Sequence, residues 1–197
     1  SDGGTWSGSA EVAGGQLRFS ASAPVRGRRR LNLAGALDGG AVGDLGLAPH
    51  GMITGPVALS ASLDIGPDGL RGGQLEADLQ RAEFNAPFVS WRKPVGRAMA
   101  ISADFVRRDG DVVLTDLRGS GPGFGLSGSG QWAPKQGAML RISNAKLEGA
   151  FDGSLDLALA DTGRRLTARA RYFDARRLLQ QDAQPGAGEQ ESRGGRP

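Results

Sequence analysis

A chain of 197 residues with 24 basic and 21 acidic side chains carries a formal net charge of only +3. Carboxylates scattered among the arginines leave a weak, diffuse field, which argues against a dedicated nucleic-acid binder. With no cysteine there is no disulfide, no cysteine metal site and no thiol chemistry. The 33 glycines show no three-residue period, which excludes collagen.

No run approaches the ~20 apolar residues of a membrane-crossing helix. Leu, Val, Ile and Phe together make about a fifth of the chain, close to the lower limit for a folded protein. That predicts a thin structure with one apolar face, without the thick interior of a compact globule.

The start, Ser1-Asp2-Gly3-Gly4, has neither the basic region nor the apolar stretch of a signal peptide. It reads as the beginning of a segment taken from a longer chain. From Gln16 onward the pattern alternates: Leu17, Phe19, Ala21, Ala23 and Val25 share one parity, and Leu31, Leu33, Gly35 and Leu37 repeat it. Asp38-Gly39-Gly40 signals a hairpin turn. Val57, Leu59, Ala61, Leu63 and Ile65 form the next greasy face, followed by a Pro67-Asp68-Gly69 turn and then Leu75, Ala77 and Leu79.

Residues 85–97, broken by Pro87 and Pro94 around Trp91, predict an irregular crossing. Alternation resumes at Met99, Ile101, Ala103 and Phe105, turns at Arg108-Asp109-Gly110, and continues at Phe124 and Leu126. Pro134-Lys135-Gln136-Gly137 and Asp161-Thr162-Gly163 are further turn signals around Leu155, Leu157 and Leu159. Leu166, Ala168, Ala170 and Tyr172 close the series. The spacing predicts about ten to twelve strands, and connections this short require antiparallel neighbours. Residues 174–179 suit a single helical turn. Residues 180–197 lack any large apolar side chain and predict a disordered tail.

The chemistry-bearing residues are sparse. His50 is the only histidine, so a metal site would have to be built from carboxylates around it. Gly125-Leu126-Ser127-Gly128-Ser129-Gly130 offers a serine between glycines, but no strand-to-helix elbow surrounds it, and no lysine follows as a phosphate loop needs. It reads as a strand whose glycines allow close packing. Asp38, Asp68, Asp109 and Asp161 belong to turns. No catalytic residue, metal ligand or cofactor is expected.

Arg26 to Arg30 form either a solvated hairpin end that discourages edge pairing or a contact for anionic lipid headgroups, with Arg28, Arg29 and Arg30 as the candidates. Trp6, Trp91 and Trp132 suit either ordinary packing or a groove rim, where an amphipathic indole sits well. The apolar stripe itself fits a second packed sheet or an open groove.

One resemblance bears on that choice. The run Ser90-Trp91-Arg92-Lys93-Pro94-Val95-Gly96-Arg97-Ala98, then Asp116-Leu117, Gly121-Pro122-Gly123-Phe124-Gly125-Leu126-Ser127-Gly128 and the closing Tyr172-Phe173-Asp174-Ala175-Arg176-Arg177-Leu178-Leu179, resembles the DUF3971 region of YhdP-type proteins in the AsmA-like superfamily. Residues 50–179 carry the likeness and residues 5–49 share its pattern. The closing motif departs in having Arg171 and Tyr172 where the family has a small residue.

The resemblance implies an all-β fold: a single elongated, curved antiparallel sheet forming an open trough over residues 1–179. It also implies a place in the bacterial periplasm, an inner-membrane anchor supplied outside this chain, adjoining segments of a longer β-groove, and phospholipid as cargo moving towards the outer membrane. On strand parity the floor of such a trough would include Leu59, Leu63, Leu75, Leu79, Ile101, Phe105, Leu155, Leu157 and Leu159. The rival expectations are a structural or adhesive exported β-protein without lipid cargo, and a hydrolase, for which no polar cluster at one sheet end is found.

Overall fold

The structure, a computed structural model, describes residues 4–174 except 13, 14, 46, 47, 49, 90, 135, 136, 161 and 162, and omits the side chains of Phe88, Leu159, Ala160 and Arg164. In chain order the elements are β1 (Trp6–Val12), β2 (Gly15–Ala21), β3 (Arg29–Asp38), α1 (Gly39–Asp44), β4 (Ile53–Thr54), β5 (Pro56–Gly66), β6 (Gly69–Asp78) and β7 (Glu83–Ala86). A 3-10 turn (Pro87–Val89) leads to β8 (Trp91–Lys93), β9 (Ala100–Arg108), β10 (Asp111–Gly121), β11 (Phe124–Ala133), β12 (Gly137–Leu147), β13 (Phe151–Ala160) and β14 (Gly163–Phe173). Eleven of the strands build one antiparallel sheet in the order β1-β2-β3-β5-β6-β9-β10-β11-β12-β13-β14, and β4, β7 and β8 build a small second one. The large sheet is open, not closed into a barrel, with the antiparallel neighbours that the alternation and short turns predict and the open form that the resemblance implies. The expected tail at 180–197 and helical turn at 174–179 lie outside the described residues, apart from Asp174.

Because partners directly opposite in an antiparallel pair lie on the same face, the register assigns every strand. Leu17 faces Gly35, Gly35 faces Leu59, Leu59 faces Ala77, and Ala77 faces Ile101. The other face carries Ser60, Glu76 and Ser102 in the same rows. Along β3 the accessibility alternates residue by residue, so the apolar side chains shield one another while their neighbours face water.

Hairpin turns alternate between the two long sides of the sheet, its lips. One lip holds the β2–β3, β5–β6 and β9–β10 connections. The other holds both long excursions, residues 39–55 and 79–99, and these fold together into a cap. Gly39 N–H donates to Gly55 O (2.9 Å) and Asn85 N–H to Met52 O (2.7 Å), while Ile53 pairs with Phe84. The buried core lies here, under the cap: Leu37, Val57, Leu79, Trp91, Met99 and Phe124 belong to it. At about 1.5–3 kcal/mol for each large side chain removed from water, this edge core is the main hydrophobic stabilisation of a molecule that is elsewhere one layer thick.

Three expectations need correction. The Asp38-Gly39-Gly40 signal opens α1, because the Asp38 carboxylate accepts from Gly40 N–H (2.9 Å) and acts as its N-cap. Residues 85–97 are no irregular crossing: they hold the end of β7, the 3-10 turn and β8, with Ala86 paired to Trp91 and Phe84, just before them, to Lys93. Tyr172 leaves the apolar parity, because a register shift between Asp152 and Gly153 sets it opposite Asp152, and Phe173 takes the apolar side opposite Phe151.

The Asp109-Gly110 turn does follow the sequence signal. Asp109 has φ 52° and Gly110 φ 94°, and Arg108 pairs with Asp111 around them, as in a two-residue type I′ hairpin. Valine at 109 would be strained at that positive φ, so Asp109→Val should cost about 1–3 kcal/mol in urea unfolding. Asp109→Asn should leave the midpoint almost unchanged.

Candidate functional site

The apolar face changes in character from the closed lip to the open one. Next to the cap, Leu37, Val57, Leu79 and Met99 are fully buried, at 0–2% exposure. One row further out, Leu17, Leu59, Ala77, Ile101 and Leu126 pack against that core but are only partly buried. Two rows beyond, past Leu33, Leu75 and Leu155, the side chains of Leu31, Leu63, Leu114, Leu140 and Leu157 are half-buried, shielded by one another. No described element lies over them. Trp6 ends that row through its pairing with Ala21, and the last row, at the open lip, includes Arg29, Arg107 and Trp132.

Across the strands large and small residues alternate. Ile101 faces Gly119, Gly119 faces Leu126, Leu126 faces Ala145, and Leu117 faces Gly128, which faces Ile142. A glycine or alanine beside many of the large side chains keeps the surface uneven, whereas Leu140, Leu157 and Leu166 adjoin directly. Gly130 shows why no larger residue fits: an added Cβ would lie 2.9 Å from Met139 O. The face runs unbroken from Ala10 on β1 to Leu166, Ala168 and Ala170 on β14. An uncovered apolar surface of this extent needs an occupant or a partner.

The predicted floor residues divide. Leu59, Leu63, Leu75, Ile101, Leu155 and Leu157 all lie on this face and are half-buried. Phe105 shares the face but is buried at 7% exposure. Leu79 is sealed beneath the cap, so it supports the floor without lining it. The backbone of Leu159 pairs with Ala138, and its side chain lies outside the described residues. The alternation reading omitted β12, whose Leu140 and Ile142 lie on the same apolar face. The signal was there in Ala138, Leu140 and Ile142, but a register shift between Ile142 and Ala145 breaks the parity before Leu147.

The headgroup candidates separate as well. Arg30 lies on the polar face and pairs with Asp64 (3.3 Å). Arg29 lies on the apolar side, its guanidinium 5.0 Å from the centre of the Trp6 ring. Arg28 closes the bridge with Val25 at the turn. The three border a depression of about 1050 Å³ near the open lip, together with Ser62, Asp64 and Arg71. Trp6 and Trp132 are exposed at that lip. Trp91 is not a rim residue: it stacks on Phe124 (5.7 Å between centroids) and meets Phe84 edge-on (6.1 Å) inside the cap.

The polar face carries ion pairs typical of a solvated surface: Arg141 and Arg169 both reach Asp156, and Arg171 reaches Asp152. Exposed pairs of this kind contribute about 0–1 kcal/mol each. His50 is exposed, its Nδ1 3.7 Å from an Asp44 carboxylate oxygen. Ser127, the serine between glycines, lies in β11 with its hydroxyl against that of Ser143 (3.5 Å). Among the described residues no group of three or more metal-ligating side chains occurs, and no helix is long and apolar enough to cross a membrane.

Lys93 is the residue that sequence reasoning missed. It is 1% exposed, and its ammonium donates to the carbonyls of Leu79 (2.7 Å), Ala82 (2.6 Å), Arg97 (3.0 Å) and Pro94 (3.1 Å). Burial pulls its pKa below the usual lysine value, partly countered by the charges of Asp78 and Glu83. It clasps the two ends of the 79–99 excursion and so holds the closed lip shut. Only its parity with Trp91 hinted that it points inward. Comparison with family models, curated proteins and solved structures gives no match.

Proposed function

We propose that this chain is a non-enzymatic, lipid-handling segment in which phospholipid acyl chains lie along the apolar face and headgroups reach water over the open lip. One observation carries the reading: an apolar floor crosses all eleven strands and is sealed on one side only. Each CH₂ taken from water onto such a floor gains about 0.8 kcal/mol, so holding or sliding a lipid needs no nucleophile and no cofactor. The resemblance to the AsmA-like DUF3971 region supports the same reading, with the bacterial periplasm as the setting, an inner-membrane anchor outside this chain and passage towards the outer membrane as the task.

Eleven strands at ~4.8 Å spacing give a groove roughly 50 Å long, about the thickness of one bilayer with its headgroups. Carrying lipid between two membranes would therefore require adjoining segments. The outer edges of β1 and β14 have no neighbouring strand among the described residues, and these edges are the joints. The apolar side chains of β14 fit that role: Leu166 is 51% and Phe173 41% exposed, well above their counterparts on inner strands.

Native mass spectrometry of the purified chain tests the reading. Co-purified phospholipid, displaced by added lipid of another chain length, is the expected result. A chain that is empty when isolated from membranes and stays empty when offered lipid would refute the groove and favour a purely structural β-protein that assembles through its edges.

A further inference from the structure

We propose that the open lip is a docking edge for an anionic phospholipid bilayer, a surface contact that goes beyond the loading of the groove and rests on the lip alone. Three successive connections on this side bring together Arg26, Arg28, Arg29, Arg71, Arg107 and Arg108. None of the six forms an ion pair with a described carboxylate, and Arg29 is the one engaged otherwise, over Trp6. The closed lip is different: there Arg92 pairs with Glu83, Arg97 with Glu148 (3.5 Å) and Arg171 with Asp152 (2.6 Å). Four acids lie near these connections: Asp64, paired with Arg30, Asp68 and Asp109 in the turns themselves, and Asp111, which accepts from the Gln131 amide (2.8 Å) and keeps its charge. Counting Arg30, seven arginines meet four carboxylates there, so this edge keeps a net positive charge, and only one of the seven is held in an ion pair with a described carboxylate.

The exposed apolar side chains are concentrated on the same edge. Of the five most exposed large ones, four lie at the open lip: Val25 (72%), Trp6 (66%), Met139 (61%) and Trp132 (52%). Arginine interleaved with indole and aliphatic groups matches the interface of a bilayer. Guanidinium groups bind phosphates, indoles settle at headgroup depth, and the aliphatic side chains reach the acyl boundary. Single-stranded nucleic acid would use the arginines and indoles but would give Val25 and Met139 nothing to do. A bilayer uses both sets.

The test is flotation of the full chain with phosphatidylcholine vesicles and with phosphatidylcholine–phosphatidylglycerol vesicles at low salt. Binding to the anionic vesicles is expected, with little to the neutral ones. The combined variant Arg26→Gln, Arg28→Gln, Arg107→Gln and Arg108→Gln should bind on the order of a hundredfold more weakly. Its unfolding midpoint should not change, since no ion pair is lost. Brominated lipid should quench Trp6 and Trp132 and spare Trp91, which is 5% exposed.

Equal binding to both vesicle types, undiminished binding by the variant, quenching of Trp91 alone, or preference for single-stranded DNA over anionic vesicles would each overturn the proposal. Groove occupancy is read separately by native mass spectrometry. Vesicle binding with an empty groove therefore counts against the groove alone, and a loaded groove without vesicle binding counts against the lip alone.

Discussion

Lys93→Ala is expected to lower the unfolding free energy by about 3–5 kcal/mol, the largest loss for any polar residue among those described. The ammonium is the shared donor for four backbone carbonyls. The Leu79 carbonyl keeps a second partner in Ala82 N–H (3.0 Å), whereas among the described residues no other donor reaches the Ala82 carbonyl. A buried acceptor left unsatisfied costs about 1–3 kcal/mol, and the lost side-chain stem leaves a cavity, since Lys93 is 1% exposed. Lys93→Met restores most of that volume without the donors and should recover only part of the loss. Urea denaturation reads all three proteins. A loss below about 1 kcal/mol for the alanine variant would mean that water reaches these carbonyls and that Lys93 is not the clasp.

A single carboxylate on the floor should remove bound lipid, and an added leucine on the opposite face should not. Leu75 lies between Ala61 and Ala103 on the apolar face, and its chain neighbour Glu76 is exposed on the other. Placing a charge against acyl chains costs about 2.5–3.5 kcal/mol, so Leu75→Glu should reduce lipid occupancy roughly a hundredfold. Glu76→Leu should leave occupancy unchanged. Far-UV circular dichroism confirms that both variants keep the sheet, which Leu75 permits because it is half-exposed and lies outside the capped core. If Glu76→Leu abolished occupancy and Leu75→Glu did not, the lipid would lie on the polar face and the groove reading would fail.

The strands of the apolar face were readable because period-two alternation is a local property. Leu17, Leu59, Leu75, Ile101 and Leu155 announce their face through their immediate neighbours. Short turns such as Asp109-Gly110 then leave antiparallel pairing as the only geometry. Bulges escaped this reading: one extra residue near Ala170 moves Tyr172 to the other face, and nothing at Tyr172 itself announces it. The cap escaped for a related reason. Its parts, residues 39–55 and 79–99, are far apart in the chain, and their short strands carry too few residues for a period to show.

The sequence by itself determined the all-β fold, the antiparallel neighbours, one apolar and one polar face on most strands, and the absence of cysteine chemistry. Those follow from side-chain alternation and turn chemistry within a few residues. Tertiary structure alone decided which lip is closed, that Lys93 and Trp91 lie inside it, that Leu79 supports the floor without lining it, and that unpaired arginines meet exposed tryptophans at the open lip. Each depends on which strand ends share a side of the sheet. That is set by counting hairpins and bulges along the whole chain, so no local stretch of sequence contains it.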